Sequence, residues 1–155
     1  MTQYWRPATL EDVDWVAPRL RKADVEEIKA SCGTSAYEGL YASFAASNPA
    51  LALVDGDGPP LGIFGLVPDA DGNACVWMLG TSDIEKYPMT FLRNSLEWVR
   101  QSNRQYPILY NQVDARNGVH IKWLRWMGFT LFREVIYGPE NRLFYEFFRI
   151  EPCVQ

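Results

Sequence analysis

The chain offers few groups able to do acid–base or nucleophilic chemistry, so their placement matters more than their number. His120 is the only histidine, and any Ser–His or Cys–His pair must use it. It stands in VHIKW, an apolar setting that favours a partly buried structural histidine over a catalytic one. Cys32, Cys75 and Cys153 are odd in number, far apart and without C-x-x-C spacing. That argues against a disulfide framework or a zinc site and for free thiols in a reducing compartment; no metal site is expected. Cys75 reads as a small strand residue rather than a nucleophile.

A second set of candidates lies in TSDIEKYPMTFL, Thr81 to Leu92. Asp83 and Glu85 could serve as a general base. They fit better as negative charge favouring the N-terminus of a helix that begins near Pro88. No residue is therefore assigned as catalytic. Asn117 reads as the cap of a later helix. Arg116, Lys122, Arg125 and Arg133 gather around that helix, where a solvated face is the favoured reading over contact with an acidic partner.

These residues must be positioned by elements whose periods are legible. Tyr4–Thr9 reads as a first strand, and Thr9 with Asp12 three residues on makes a capping arrangement for a helix to about Leu20. A helix from about Ala23 to Ala30 stops at Cys32-Gly33. Ser35–Ser47 is a third helix, weakened by Gly39. Ala50–Val54, Leu61–Val67 and Ala74–Leu79 are strands separated by DGDGPP and PDADGN, an antiparallel meander.

From about Pro88 to Ser102 the period becomes helical. Met89, Leu92, Leu96 and Val99 share one stripe, with Phe91 and Trp98 at its edge. Pro107–Val113 is the next strand, expected parallel to Ala74–Leu79 because a helix joins them. Gly118–Met127 is a short helix with Val119, Trp123, Leu124, Trp126 and Met127 on a broad apolar arc. The alternating segments TLFREVIY and RLFYEFFRI, joined by GPEN, close the chain as a hairpin. Trp98, Trp123 and Trp126 are expected in the core, and Trp77 is a candidate for lining a central cleft.

Composition sets outer limits. The chain has 155 residues, 48% of them hydrophobic and 14% aromatic, which suits one domain, 1–155, with a real core. The net charge of −4 makes direct nucleic-acid binding unexpected. Charged residues within the first twenty positions argue against a signal peptide, and the most apolar window is broken by Asn48 and Pro49, so no membrane association is expected and a cytoplasmic location is.

The element order, with NGVHIKWLRWMGF (Asn117–Phe129), resembles the GCN5-related N-acetyltransferase (GNAT) family and its N-x-x-A-I-x-x-Y-x-x-x-G-F segment. Asn117, Ile121, Gly128 and Phe129 match at the right spacing. The opening RPAT-LEDVDWV is similar to a GNAT first strand and helix. The resemblance implies an α/β (α+β) fold: a mixed, mainly antiparallel sheet of 6–7 strands, helices on both faces, and parallel central strands 4 and 5 splayed apart. It also implies acetyl-CoA in that splay, with its pyrophosphate on backbone N–H groups of a Q/R-x-x-G-x-G/A turn before the long helix.

Two sites, the pyrophosphate turn and the proton donor, depart from the family's pattern. With Leu92 aligned, Tyr87 and Met89 stand at the glycine positions and Ile84 at the Gln/Arg position. Asp83 and Glu85 add negative charge beside the expected pyrophosphate, which Lys86 only partly offsets. Leu124 replaces the tyrosine that would protonate the leaving thiolate. If CoA binds, the residues in reach are Leu79, Thr81, Lys86, Tyr87 and Asn117, with the basic cluster available to its adenine-ribose phosphate; otherwise no cofactor is expected.

A narrower resemblance, to acyltransferase-like internal virion proteins of short-tailed bacteriophages, rests on Trp77, Leu79, Thr81 and Ser82, on Phe91-Leu92-Arg93, and on the terminal N…I-x-x-L…G-F. It implies a phage or prophage protein of virion assembly, without acetyl transfer, partnered by phage structural proteins in the host cytoplasm or the virion, with an oligomer left open. The alternative is an acetyl-CoA-dependent N-acetyltransferase with a non-standard pyrophosphate loop.

Overall fold

The computed structural model describes residues 2–86 and 88–151. In chain order the elements are β1 (Gln3–Pro7), α1 (Leu10–Val16), α2 (Lys22–Cys32), α3 (Ala36–Ala46), β2 (Ala50–Asp55), β3 (Pro60–Pro68), β4 (Ala74–Gly80), α4 (Pro88–Gln105), β5 (Ile108–Asp114), α5 (Gly118–Trp126), β6 (Thr130–Tyr137) and β7 (Arg142–Ile150). The strands form one sheet in the order β1-β2-β3-β4-β5-β7-β6. Among the described residues only β4 and β5 run parallel.

The predicted capping box is present: the Asp12 amide donates to the Thr9 hydroxyl and the Thr9 amide to the Asp12 carboxylate. Arg6 adds a bidentate pair to the same carboxylate at 2.6 and 2.8 Å. Helix α1 is shorter than the expected run to Leu20. Pro18 lacks the amide an α-helix would use, and Ala17–Arg19 tightens into a 3-10 turn. Leu20 then forms an isolated bridge with Thr81.

Alternation along the strands builds two cores, one on each face. One packs Val13, Val16, Ile28, Leu40, Ile63 and Leu79 under α1–α3. The other packs Phe64, Val76, Met78, Phe91, Trp98 and Trp123 under α4 and α5. The stripe on α4 is rotated from the expected one. Phe91 and Trp98 are buried, while Met89 is 49% exposed. The rings decide this, since Trp98 stacks on Trp5 at 5.8 Å and meets Phe64 edge-on at 5.5 Å. Trp126 and Val119 are likewise exposed rather than core. No helix among the described residues is long and apolar enough to cross a membrane.

Candidate active site

The parallel ladder between β4 and β5 is short. Ala74 and Cys75 pair with Leu109 and Tyr110, and no further pairs follow among the described residues. The Asn111 side-chain amide spans the next step by donating to the Val76 carbonyl at 2.8 Å. Beyond it the strands part. Thr81 donates its amide to Leu61 of β3, so by alternation Val76, Met78 and Gly80 turn their backbone groups toward the gap. At Gly80 that edge is covered: its amide donates to Asp24 at 3.2 Å and its carbonyl accepts from the Arg21 amide at 3.0 Å. Met78 lies between these two closures, with its peptide edge facing the opening.

A cavity of about 250 Å3 occupies the splay. It touches Trp77 and Leu79 on one face of β4 and Val76 and Met78 on the other, so it runs through the sheet. Its rim toward α2 and α3 carries Ser31, Cys32, Ser43 and Tyr137. The β6–β7 turn frames this rim. Gly138 has φ of 78°, and a methyl there would run into the Ala30 carbonyl of α2, so glycine permits both the conformation and the approach.

Glu27 on α2 is the carboxylate of this cavity. It accepts the Asp114 amide at 2.6 Å. Burial pushes its pKa up to about 8, with Asp24 and Asp114 adding to the rise and the Asp114 amide and Arg21 opposing it. His120 lines the same cavity and is buried. Among the described residues its Nδ1 has no hydrogen-bond partner. Burial, assisted by Arg21, pushes its pKa down to about 3, so the imidazole is neutral. Ligand atoms of Asp24, Glu27 and His120 lie within 4.8 Å of one another, a spacing that invites a cation. The positive charge this group calls for is already supplied by the Arg21 guanidinium against Asp24, so the trio is not assigned to a metal.

Arg21 closes the same open end of the gap from the β4 side, beside Asp24. Its guanidinium donates to Glu85 at 2.9 Å, Asp24 at 3.4 Å and Asn117 at 3.3 Å, and lies 4.8 Å over the Trp123 ring. Asp24 is fully buried; burial raises its pKa, while Arg21, the Gly80 amide and Asn117 pull it back. Outside this knot lies a polar cleft lined by Arg21, Lys22, Ser82, Glu85, Arg116 and Asn117.

The sequence-predicted cofactor residues are dispersed by this arrangement. Leu79 lines the through-sheet cavity. Asn117 caps α5 by accepting the His120 amide and joins the Arg21 knot. Thr81 is buried, and both its amide and its hydroxyl donate to Leu61, so it faces β3. Lys86 forms an ion pair with Asp83 at 2.9 Å. Tyr87 lies outside the described residues. Asp83 and Glu85 fall in a 3-10 turn (Ser82–Glu85), and Glu85 is engaged with Arg21 rather than with the α4 terminus. Ile84 is buried against Gly80. The expected basic cluster separates, Arg116 pairing with Asp114 at 2.7 Å and Arg133 with Glu146 at 2.8 Å. Cys75 is inert, its thiol pushed up to about 11 by burial. Leu124, at the expected proton-donor position, is buried in the cavity wall.

Structural comparison is decisive for the architecture. A GNAT acetyltransferase from Bacillus anthracis superposes with a TM-score of 0.72 at 8% identity, covering 97% of this chain and 95% of that one. Spermidine N-acetyltransferase from Vibrio cholerae, solved with CoA and spermine, gives 0.69 at 9% identity over 96% and 95%. The ribosomal-protein-S18-alanine N-acetyltransferase of Escherichia coli gives 0.65 at 11% over 99% and 97%. The fold is that of the GNAT acetyltransferases. No family model matches the sequence, and no curated protein matches it. The narrower likeness to phage virion proteins finds no support among these GNAT-fold matches.

Glu27 was missed by sequence reasoning. It sits in KADVEEIKA beside Glu26, and nothing local separates the two. Only the pairing of α2 with the end of β5, 87 residues away, makes one of them a cavity carboxylate.

Proposed function

We propose that the protein is an acetyl-CoA-dependent N-acetyltransferase with a non-standard cofactor entrance, in which Glu27 is the general base. One observation carries this reading: a carboxyl group with a pKa near 8 faces a cavity that passes through the sheet beside the open Met78 peptide edge. A base with that pKa suits proton removal from an ammonium group near neutral pH. Bound in the gap, acetyl-CoA would supply the thioester acyl group. The fit is favourable along β4, where the Met78 edge can hold an amide of the extended arm. It is unlike the family at the pyrophosphate, where the polar cleft of Arg21, Lys22 and Arg116 offers positive charge in place of a glycine turn.

The chain's own residues then act in order. Glu27 takes one proton from the ammonium, freeing the nitrogen lone pair to form the N–C bond. The C–S bond breaks, and the second ammonium proton leaves with the sulfur as a free thiol. Leu124 supplies no proton, so that transfer runs directly or through water. Calorimetric titration with acetyl-CoA should give a Kd of about 10 µM or tighter, roughly −7 kcal/mol. Absence of binding at millimolar ligand would sink the reading.

One observation favours a second reading, a GNAT shell without transfer. The knot of Arg21, Asp24, Glu85 and Asn117 fills the end of the gap through which a cofactor would enter. Under that reading acetyl-CoA neither binds nor protects against thermal unfolding.

A further inference from the structure

We infer that the acceptor side of the cavity selects a primary monoamine with an uncharged apolar body, an aralkyl amine. Diamines and amino-acid-like acceptors are selected against. This names a substrate class for the site just described and rests on the transferase reading.

The charge inventory of the cavity carries the inference. Among the described residues that line it, Glu27 is the only carboxylate, and no lysine or arginine lines it. His120 is neutral. Once ionised, above its pKa of about 8, Glu27 can pair one ammonium. A second ammonium would lie unpaired against apolar walls, as would a carboxylate on the acceptor, and burying an unpaired charge is strongly unfavourable. Arg21 and Arg116 are no help to such a carboxylate, because both face the separate polar cleft and neither lines the cavity.

The walls suit a ring. Trp77 is half-buried, and its Nε1 donates to Ser47 at 2.7 Å, which locks the indole in place. Tyr137 stands at the rim on the hairpin side. At about 250 Å3 the cavity falls just below the usual range for ligand sites, leaving room for about one ring beside the thioester. The contact of Gly138 with α2 closes the rim, so a peptide finds no long groove there.

The test compares 2-phenylethylamine, phenylalanine and 1,5-diaminopentane as acceptors, reading thiol release from acetyl-CoA. Phenylethylamine and phenylalanine differ only by the carboxylate. Phenylethylamine should have the highest kcat/KM, by about tenfold or more over each of the others. Ser43→Asp places a second carboxylate on the rim and should narrow the gap to the diamine at least about threefold. A diamine or an amino acid used as well as phenylethylamine overturns the inference while leaving the transferase reading intact. Calorimetry with the same amines and no cofactor reads the acceptor side alone. There phenylethylamine should bind, and Glu27→Gln should weaken it about tenfold. No binding of phenylethylamine, or tighter binding of the diamine, overturns the inference even if acetyl-CoA fails to bind.

Discussion

The two sides of the open end of the β4–β5 gap handle buried charge differently. On the β4 side Asp24 is fully buried, yet it faces the Arg21 guanidinium, the Gly80 amide and the Asn117 side chain. On the β5 side, with a carboxylate oxygen within 4.8 Å of Asp24, Glu27 accepts the Asp114 amide and has two neighbouring acids, with Arg21 acting on it through space. The first arrangement is what a structural ion cluster needs, since each charge meets an opposite charge or a dipole. The second leaves a carboxyl with a raised pKa beside a cavity, a cost to folding that a purely structural role does not account for. The contrast assigns structure to the β4 side and chemistry to the β5 side.

Replacing each group in turn tests that division. Glu27→Gln keeps an oxygen for the Asp114 amide but removes the base. The rate of acetyl transfer at pH 8 should fall by roughly 10² to 10⁴, and the rising limb of the pH–rate profile near pH 8 should vanish. A rate within a few fold of the parent would place the chemistry elsewhere. Arg21→Met keeps the stem against Trp123 and strips Asp24 of its cation. It should cost about 3–5 kcal/mol in denaturant unfolding, the effect expected when one partner of a buried pair is removed.

How much of this was legible in the sequence depends on which periods were local. The strands declared themselves through alternation and turn residues, and Thr9 with Asp12 marked a real helix start. The parallel pairing of β4 and β5 followed from the helix between them. The α4 stripe was read a step out of phase because a helical wheel does not see Trp5 or Phe64 across the sheet. Likewise, Asp83 and Glu85 stood out on the junction as the acids nearest the expected cofactor. The cavity acid came from α2, where Glu26 and Glu27 are adjacent and only the fold tells them apart. Side chains drawn together over 64 to 96 residues, as in the Arg21 contacts with Glu85 and Asn117, leave no periodic trace.

The pH dependence of stability separates the two acids further. Glu27 has a folded pKa of about 8 against an unfolded value of 4.5. Between these values the unfolded chain releases the proton while the folded chain keeps it, so rising pH favours unfolding, and the cost is constant above about pH 8. His120 works the other way. Its pKa is about 3 when folded and 6.5 when unfolded, so its contribution is full above pH 6.5 and is lost as pH falls toward 3. From pH 6.5 to 8 the Glu27 slope is therefore free of His120, and it amounts to about 2 kcal/mol lost. Glu27→Gln should remove that loss, making the inactive variant more stable than the parent at pH 8. Equal slopes for the two proteins would mean that Glu27 is solvated in the folded state.

The smallest effect is expected where the Arg21 cluster meets the cofactor entrance. Glu85 is about half exposed and shares Arg21 with Asp24 and Asn117. An exposed acid of this kind is worth no more than about 1 kcal/mol to folding. Glu85→Gln leaves Asp24 compensated but frees one face of the guanidinium and lowers the negative charge lining the polar cleft. If Arg21 can serve an incoming pyrophosphate, acetyl-CoA should bind up to about tenfold tighter, with the gain shrinking as salt is added. Unchanged affinity would mean that Arg21 is held by Asp24 alone, leaving the cofactor phosphates to Lys22 and Arg116.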